Sequence, residues 1–235
     1  MKFYKSGELP KVPHMYFIYG DGGTGKTTIF KQFKGKKALF TFDQSTDVVE
    51  PEDGIDTFFF GLEDVPTIQK SVIAYLERTI KGGGYDAIAF DNMSSLQNMV
   101  LENIDGASKD GRQNYQKLQI WFRQLGMLLR SSGSEIYATA HQTNKETSGL
   151  NGSGSFSPDM NDKTFNAFTS MFDVVGRIYK QGGERYIDLD PELGNHAKNR
   201  VDERTLIKAD ELLNSEQSEP KKSETKKPTK KDGTK

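Results

Sequence analysis

Eight consecutive residues, Gly20-Asp21-Gly22-Gly23-Thr24-Gly25-Lys26-Thr27, fit the pattern G-x-x-x-x-G-K-[ST] and come directly after the apolar run Met15-Tyr16-Phe17-Ile18-Tyr19. A strand, a glycine-rich turn and a helix start, in that order, make a phosphate-binding loop of the Walker A type. The glycines let the backbone turn tightly and aim successive N–H groups inward, where the dipole of the emerging helix adds partial positive charge for a polyphosphate. Gly20 through Thr28 is therefore the predicted nucleotide cradle, with ATP as its ligand. Lys26 would reach the β and γ phosphates, and Thr27 would hold Mg²⁺. The Lys26 side chain is expected to stay exposed until phosphate arrives.

Tyr85-Asp86-Ala87-Ile88-Ala89-Phe90-Asp91 is an apolar strand that ends in a carboxylate, the Walker B pattern. Asp91 would emerge at the carboxyl edge of the sheet and order Mg²⁺ through its water shell. A strand-terminal Asp also caps helices, and Asn92 to Ser95 leads into one; the Walker A match and the length between the two motifs favour the metal role. Glu135 to Ala140 is a further buried strand, stopping at His141 and Gln142, polar side chains at the edge where open α/β sheets bind ligands. Gln142 is suited to sensing a γ phosphate or orienting water, while His141 fits that crevice or a structural role equally. Thr143 through Asp162 follows, rich in Ser, Gly and Asn. A stretch of that length without periodicity reads as a functional loop or a disordered one.

Positioning these groups takes a sheet whose strands end at one edge, and the chain alternates accordingly. Short β-rich runs at 16–19, 38–42, 57–60, 87–90, 135–140, 174–179 and 185–189 are interleaved with helical stretches at 26–33, 65–81, 94–104, 115–130 and 163–172. The first five runs mostly alternate with helices, as in a parallel sheet, whereas the last two are separated only by Lys180-Gln181-Gly182-Gly183-Glu184 and read as a hairpin. The predicted fold is α/β, a mostly parallel central sheet flanked by helices with a C-terminal antiparallel hairpin, forming one domain over residues 1–213. Trp121, with Leu118, Phe122, Leu125 and Leu129 at helical spacing, reads as core rather than as a base-stacking platform. Ser108 to Tyr115 reads as polar and flexible, with Lys109, Arg112 and Tyr115 as candidate DNA contacts.

At 235 residues the chain can bury one large core, yet a hydrophobic content of 34% is low for a fully packed protein. The deficit collects at the end: residues 214–235 hold no apolar side chain and are expected to be a disordered Lys-rich tail. A net charge of −1 thus conceals an acidic body with a basic arm, which serves solubility or nonspecific nucleic-acid binding. Zero cysteines exclude disulfides, thiolate catalysis and cysteine-bound zinc. No stretch approaches the length of a membrane span and the first residues lack the apolar core of a signal peptide, so a cytoplasmic location without membrane partners is expected.

The order of parts resembles the RecA-like recombinase core: Walker A, a strand-terminal acid at Asp43, Walker B at Asp91, a strand ending in His141-Gln142, a loop, and a terminal hairpin. Over about residues 12 to 203 the chain is similar to phage-encoded, core-only RecA-like P-loop ATPases, AAA-domain proteins of the recombinase and single-strand annealing type. The resemblance implies that Gln142 couples the γ phosphate to the following loop, and that Thr143 to Asp162 contacts DNA. Ala197-Lys198-Asn199-Arg200 is similar to the A-K-x-R element that RecA-like hexameric helicases present to a neighbouring subunit's nucleotide. Lys198 and Arg200 would then be trans-acting cations that stabilise charge on the transferred phosphoryl, the alternative being two surface cations after a strand. Also implied are a homo-oligomer (ring or filament), single-stranded DNA as partner, DNA-stimulated ATP hydrolysis, and a replication or recombination protein as a further partner. Recombinases place a glutamate after the second strand; here Asp43 stands there, with a shorter reach for positioning the attacking water.

The function expected from all of this is that of a Mg²⁺-dependent ATPase that assembles on single-stranded DNA in phage recombination or replication. Two other readings stand beside it. One is an ATP-gated binding protein without turnover that recruits a replisome partner, and the other a P-loop kinase for a small molecule, although no arginine-rich lid surrounds the site.

Overall fold

The computed structural model describes residues 3–145, 155–191 and 195–214. At the centre of its sheet lies β1 (Met15–Gly20), all six residues buried. On one side of β1 come β5 (Glu135–Lys145), β4 (Ala87–Asp91), β2 (Lys37–Thr41) and β3 (Ile55–Phe59), each parallel to its neighbour. On the other side lies β7 (Val174–Gln181), also parallel, followed by antiparallel β8 (Glu184–Asp188) and β10 (Leu206–Lys208). Two short strands sit off this path: β6 (Ser155–Pro158) against the end of β5, and β9 (Lys198–Asn199) against the start of β7, both antiparallel.

Because β1, β2 and β4 are covered on both faces, they read as continuous apolar runs. Alternate side chains enter two separate cores. Phe17, Tyr19, Phe40, Phe90 and Ala138 meet α2 (Ile68–Gly82), α3 (Met93–Glu102), α4 (Gly111–Arg130) and α5 (Asp162–Thr169). Tyr16, Ile18, Leu39, Ala89 and Tyr137 meet α1 (Lys26–Phe30) and the closing segment through Ile207, Ala209 and Leu212. Trp121 is buried with Phe122 in the first of these cores, as its helical spacing requires. Arg130 at the end of α4 locks that helix to the base of the sheet, donating to Asp173 Oδ1 at 2.7 Å and to the carbonyls of Pro13 and Met171.

The α/β class, the mostly parallel sheet and the flanking helices are as the residue pattern predicts. The terminal hairpin is present as β7 and β8, and Leu206-Ile207-Lys208 extends it by adding β10 to β8; a three-residue strand carries too little alternation to read. Three local expectations are corrected. Thr143 to Asp162 is not structureless along its length: β5 runs on to Lys145, β6 pairs with it, and α5 already begins at Asp162. Backbone pairing of β6 with β5 holds this part, with Ser157 and Pro158 buried; 146–154 lie outside the described residues. The segment 108–115 is largely ordered, since Asp110 caps α4 by accepting from the Arg112 N–H at 3.0 Å, and the helix starts at Gly111. Finally α1 stops at Phe30, and residues 31–33 continue as i→i+3 turns. The tail falls outside the described residues beyond Asn214. Among the described residues no helix is long and apolar enough to cross a membrane.

Candidate functional site

Gly20 ends β1 beside β7, and a Cβ there would overlap the carbonyl oxygen of Ile178. Glycine is thus what lets the chain leave the sheet tightly at this point. Gly25, at φ +93°, turns the loop into α1 in a left-handed conformation that other residues rarely adopt. Between them the loop closes on itself. Lys26 Nζ donates to the carbonyls of Gly20 and Asp21, both at 2.8 Å, and Thr24 Oγ1 donates to the Asp21 carbonyl at 2.8 Å.

Lys26 is therefore only 8% exposed, contrary to the expectation that it waits in solvent. Its flexible stem allows the ammonium to fold back onto the Gly20 carbonyl and onto the Asp21 carbonyl that Thr24 also donates to. Burial pushes its pKa below the usual lysine value, while Asp91, Asp21 and Asp43 pull it back up.

Asp91 emerges from β4 facing α1. Its Oδ2 accepts from Thr27 Oγ1 at 2.5 Å and its Oδ1 from Thr139 Oγ1 at 2.5 Å. Burial raises its pKa from the usual carboxylate value against those two bonds, and the charge of Asp43 adds to the rise while Lys26 opposes it. The cap of α3 is Asn92, not Asp91: its Oδ1 accepts from the Ser95 N–H at 2.9 Å. Asp91 is thereby left to Thr27.

Asn92 also joins two other residues of the carboxyl edge. Its Nδ2 donates to Asp43 Oδ2 and lies 3.1 Å from His141 Nε2. Asp43 Oδ1 accepts from the Ser45 N–H at 3.0 Å. Lys26, Thr27, Thr28, Asp43, Asp91 and His141 line one cavity of about 370 Å³ over the phosphate loop, with Arg185 of β8 at its rim.

Gln142, the next residue along β5, is not in that cavity. Its Nε2 donates to Asp21 Oδ2 at 2.7 Å and its Oε1 accepts from Arg177 Nε at 2.9 Å. The Arg177 guanidinium in turn lies 3.3 Å from the ring centroid of Phe156 on β6. A line of direct contacts thus runs from the phosphate loop to the β5–β6 pair. Lys198 and Arg200 lie at the other end of the sheet: Lys198 pairs with Val175, and the Arg200 N–H donates to the Asp173 carbonyl, at the amino-terminal ends of β7 and β1. Within one chain they do not approach Lys26. Lys198 Nζ donates to the Thr169 carbonyl at 2.9 Å, and burial, helped by the neighbouring Arg200, lowers its pKa to about 8.

The donor set suits Mg²⁺ held against a bound polyphosphate. Thr27 and Asp91 offer hard oxygens 2.5 Å apart, and no group of three or more His, Asp or Glu among the described residues forms a cage of its own. Mg²⁺ takes few protein ligands and keeps water and phosphate oxygens for the rest. Thr41, which pairs in register with Asp91, carries a buried hydroxyl with no hydrogen-bond partner among the described residues, a ready contact for an ordered water.

Asn92, Thr139, Arg177 and Arg185 escaped the sequence reading. Asn92 follows the Walker B acid directly and is the one with an available signal. The other three come from strands whose order in the sheet no local pattern reveals. A family model described as an AAA domain matches residues 13–201. No curated protein matches the chain.

Proposed function

The chain belongs to the AAA-domain family of P-loop nucleotide-binding ATPases, and from that premise we propose a Mg²⁺-dependent, RecA-like ATPase that oligomerises and acts on single-stranded DNA in phage recombination or replication. The observation that carries the nucleotide chemistry is the convergence of Lys26, Thr27, Asp91 and Asp43 on one cavity at the carboxyl edge of the sheet. Lys26 exchanges its two carbonyl acceptors for β and γ phosphate oxygens when ATP enters. Thr27 and Asp91 would hold Mg²⁺, and the ion would supply positive charge to the bound polyphosphate. Asp43, oriented by Asn92 and the Ser45 N–H, keeps lone pairs free for the proton of an attacking water. Lys198 and Arg200, remote from their own loop, supply positive charge to a neighbouring subunit's nucleotide.

The reading of DNA coupling rests on Gln142. It touches Asp21 of the phosphate loop and, through Arg177, Phe156 of the β5–β6 pair. A change at the loop on nucleotide binding therefore has a physical route to the segment that follows β5, where a DNA-contacting role is assigned.

ATP turnover measured with and without single-stranded DNA tests this reading, together with the assembly mass in ATP and in ADP. Turnover should rise with DNA and mass with ATP. Arg200→Ala should bind nucleotide but lose turnover, and mixing it with Lys26→Ala protein should restore part of the activity through interfaces that pair an intact loop with an intact finger. Turnover and mass indifferent to both ligands would refute the DNA and assembly roles while leaving the ATPase site standing. A second reading, an ATP-gated protein that does not hydrolyse, draws on Asp43, whose carboxylate is shorter than glutamate and already holds two donors. ATP-dependent assembly without turnover would support it.

A further inference from the structure

We infer that Arg185 is a nucleotide-binding residue acting within its own chain, gripping the polyphosphate beside Gly25, and that the second cavity it borders takes the nucleoside. This rests on the nucleotide-site reading above and extends it. Arg185 alternates along β8 with Tyr186 and shares a face with Ile187, which packs in the core on the α1 side. The pleat therefore directs Arg185 toward α1. Its side chain lies close against the loop: a Cβ built on Gly25 would sit 3.0 to 3.2 Å from its Nε, Cζ and Cδ. A side chain there would push the arginine back by a few tenths of an ångström.

Arg130 and Arg204 are paired with Asp173 and Asp202, whereas Arg185 has no carboxylate within ion-pair distance among the described residues. An exposed, unpaired guanidinium resting on a phosphate loop has the planar fork that matches phosphate oxygens.

Arg185 is also a wall. Together with Gly25 and Thr28 it borders both the cavity of about 370 Å³ and a second one of about 230 Å³. The larger cavity alone lies near the bottom of the roughly 300–1,000 Å³ span of small-molecule sites, and the two joined fall well inside it. Their chemistries differ. The first is lined by Lys26 and Thr27 together with Asp43, Asp47 and Asp91, while Glu184, Asp210 and Gln32 border the second, whose lining has no lysine among the described residues. Gln32 already donates its amide to the Ala209 carbonyl, which leaves its oxygen to accept. These acceptors suit the hydroxyls of ribose and the exocyclic amine of a base. A nucleotide laid across Arg185 places each part against its complement.

Calorimetric titration of the full chain with Mg²⁺ and ATP, ADP or inorganic tripolyphosphate tests both halves. The wild type should bind ATP more tightly than tripolyphosphate. Arg185→Ala should weaken all three ligands by about tenfold to a hundredfold, as loss of a charge-assisted contact does, with Arg185→Lys recovering part. Asp210→Ala should weaken ATP and ADP and leave tripolyphosphate unchanged. Wild-type affinity of Arg185→Ala for all three ligands would overturn the phosphate contact. Equal wild-type affinity for ATP and tripolyphosphate, or an Asp210→Ala variant that binds ATP and ADP normally, would overturn the nucleoside cavity. Lys26→Ala serves as the separate control: unchanged ATP binding there would remove the nucleotide site itself, whereas its loss beside an unaffected Arg185→Ala would sink this inference alone.

Discussion

Asp91→Asn should separate what the carboxylate does for the empty protein from what it does for the bound one. In the nucleotide-free fold Asp91 is 4% exposed and bonded to Thr27 and Thr139, and burial raises its pKa in spite of both bonds. A raised folded-state pKa means that the native state keeps the proton to higher pH than the unfolded chain does. Stability from this group is thus greatest below the unfolded value and declines as pH climbs toward the folded one. Asparagine keeps both contacts, its oxygen accepting from one threonine and its amide donating to the other. Exchanging two charge-assisted bonds for two neutral ones costs about 2–3 kcal/mol, and removing a buried charge returns about as much. The empty variant should therefore melt within about 4 °C of wild type, or above it, at about 2–4 °C per kcal/mol for a chain of this size. Mg²⁺-ATP at about 100 times its Kd stabilises by about 2.7 kcal/mol, so wild-type Tm should rise by about 5–10 °C on loading. The variant should lose the Mg²⁺-dependent part of that rise, and its turnover should fall by about 100-fold or more. Melting curves between pH 5 and 8, with ATP and either Mg²⁺ or a chelator, read every quantity except turnover. An empty variant melting more than about 6 °C below wild type would show that the charge holds the fold together, contrary to the argument. Unchanged turnover and metal dependence would take Asp91 out of the site.

Lys26→Ala should lose the ATP-induced rise in Tm altogether, and because Lys26 Nζ caps the Gly20 and Asp21 carbonyls, its empty form should melt a few degrees lower; a full ATP-induced rise would contradict the loop's role. Lys198, lowered by burial to about 8, should make turnover fall as pH rises through about 8 if its charge serves catalysis. Lys198→Arg should hold its rate there, and an identical decline in both proteins would exclude Lys198 as the titrating group. The linked stability has the opposite sense: between pH 8 and the ordinary lysine value the unfolded chain binds the extra proton, so native stability should increase with pH across that window. Truncation after Asn214 should leave the melting curve intact and flatten the log–log salt dependence of single-strand binding by about 0.7 for each phosphate that the tail no longer neutralises. An unchanged slope would assign the lysines to solubility.

The phosphate loop, the acid that closes β4 and the parallel sheet were legible in the chain because each is a local matter. Gly20 through Thr28 states its chemistry in consecutive residues, and a strand buried on both faces announces itself as an apolar run, as Ala87 to Phe90 does. Where Lys26 rests could not be read, because its two acceptors exist only once the loop has closed on itself. The same holds for Asn92: its neighbour Asp91 pointed to the site, but only the packing of β2 and β5 beside β4 brings Asp43 and His141 within its reach. Arg185 belongs wholly to the tertiary structure, and so do the partners of Gln142. Sequence placed Gln142 at a strand end near the phosphates, whereas the insertion of β1 between β5 and β7 sets it against Asp21 and Arg177. The meander that folds β8 back over α1 carries Arg185 about 160 positions along the chain to Gly25. Local propensity determines which strands form, but the order in which they pair is chosen by burial of both sheet faces at once, and that order decides which distant side chains share a cavity.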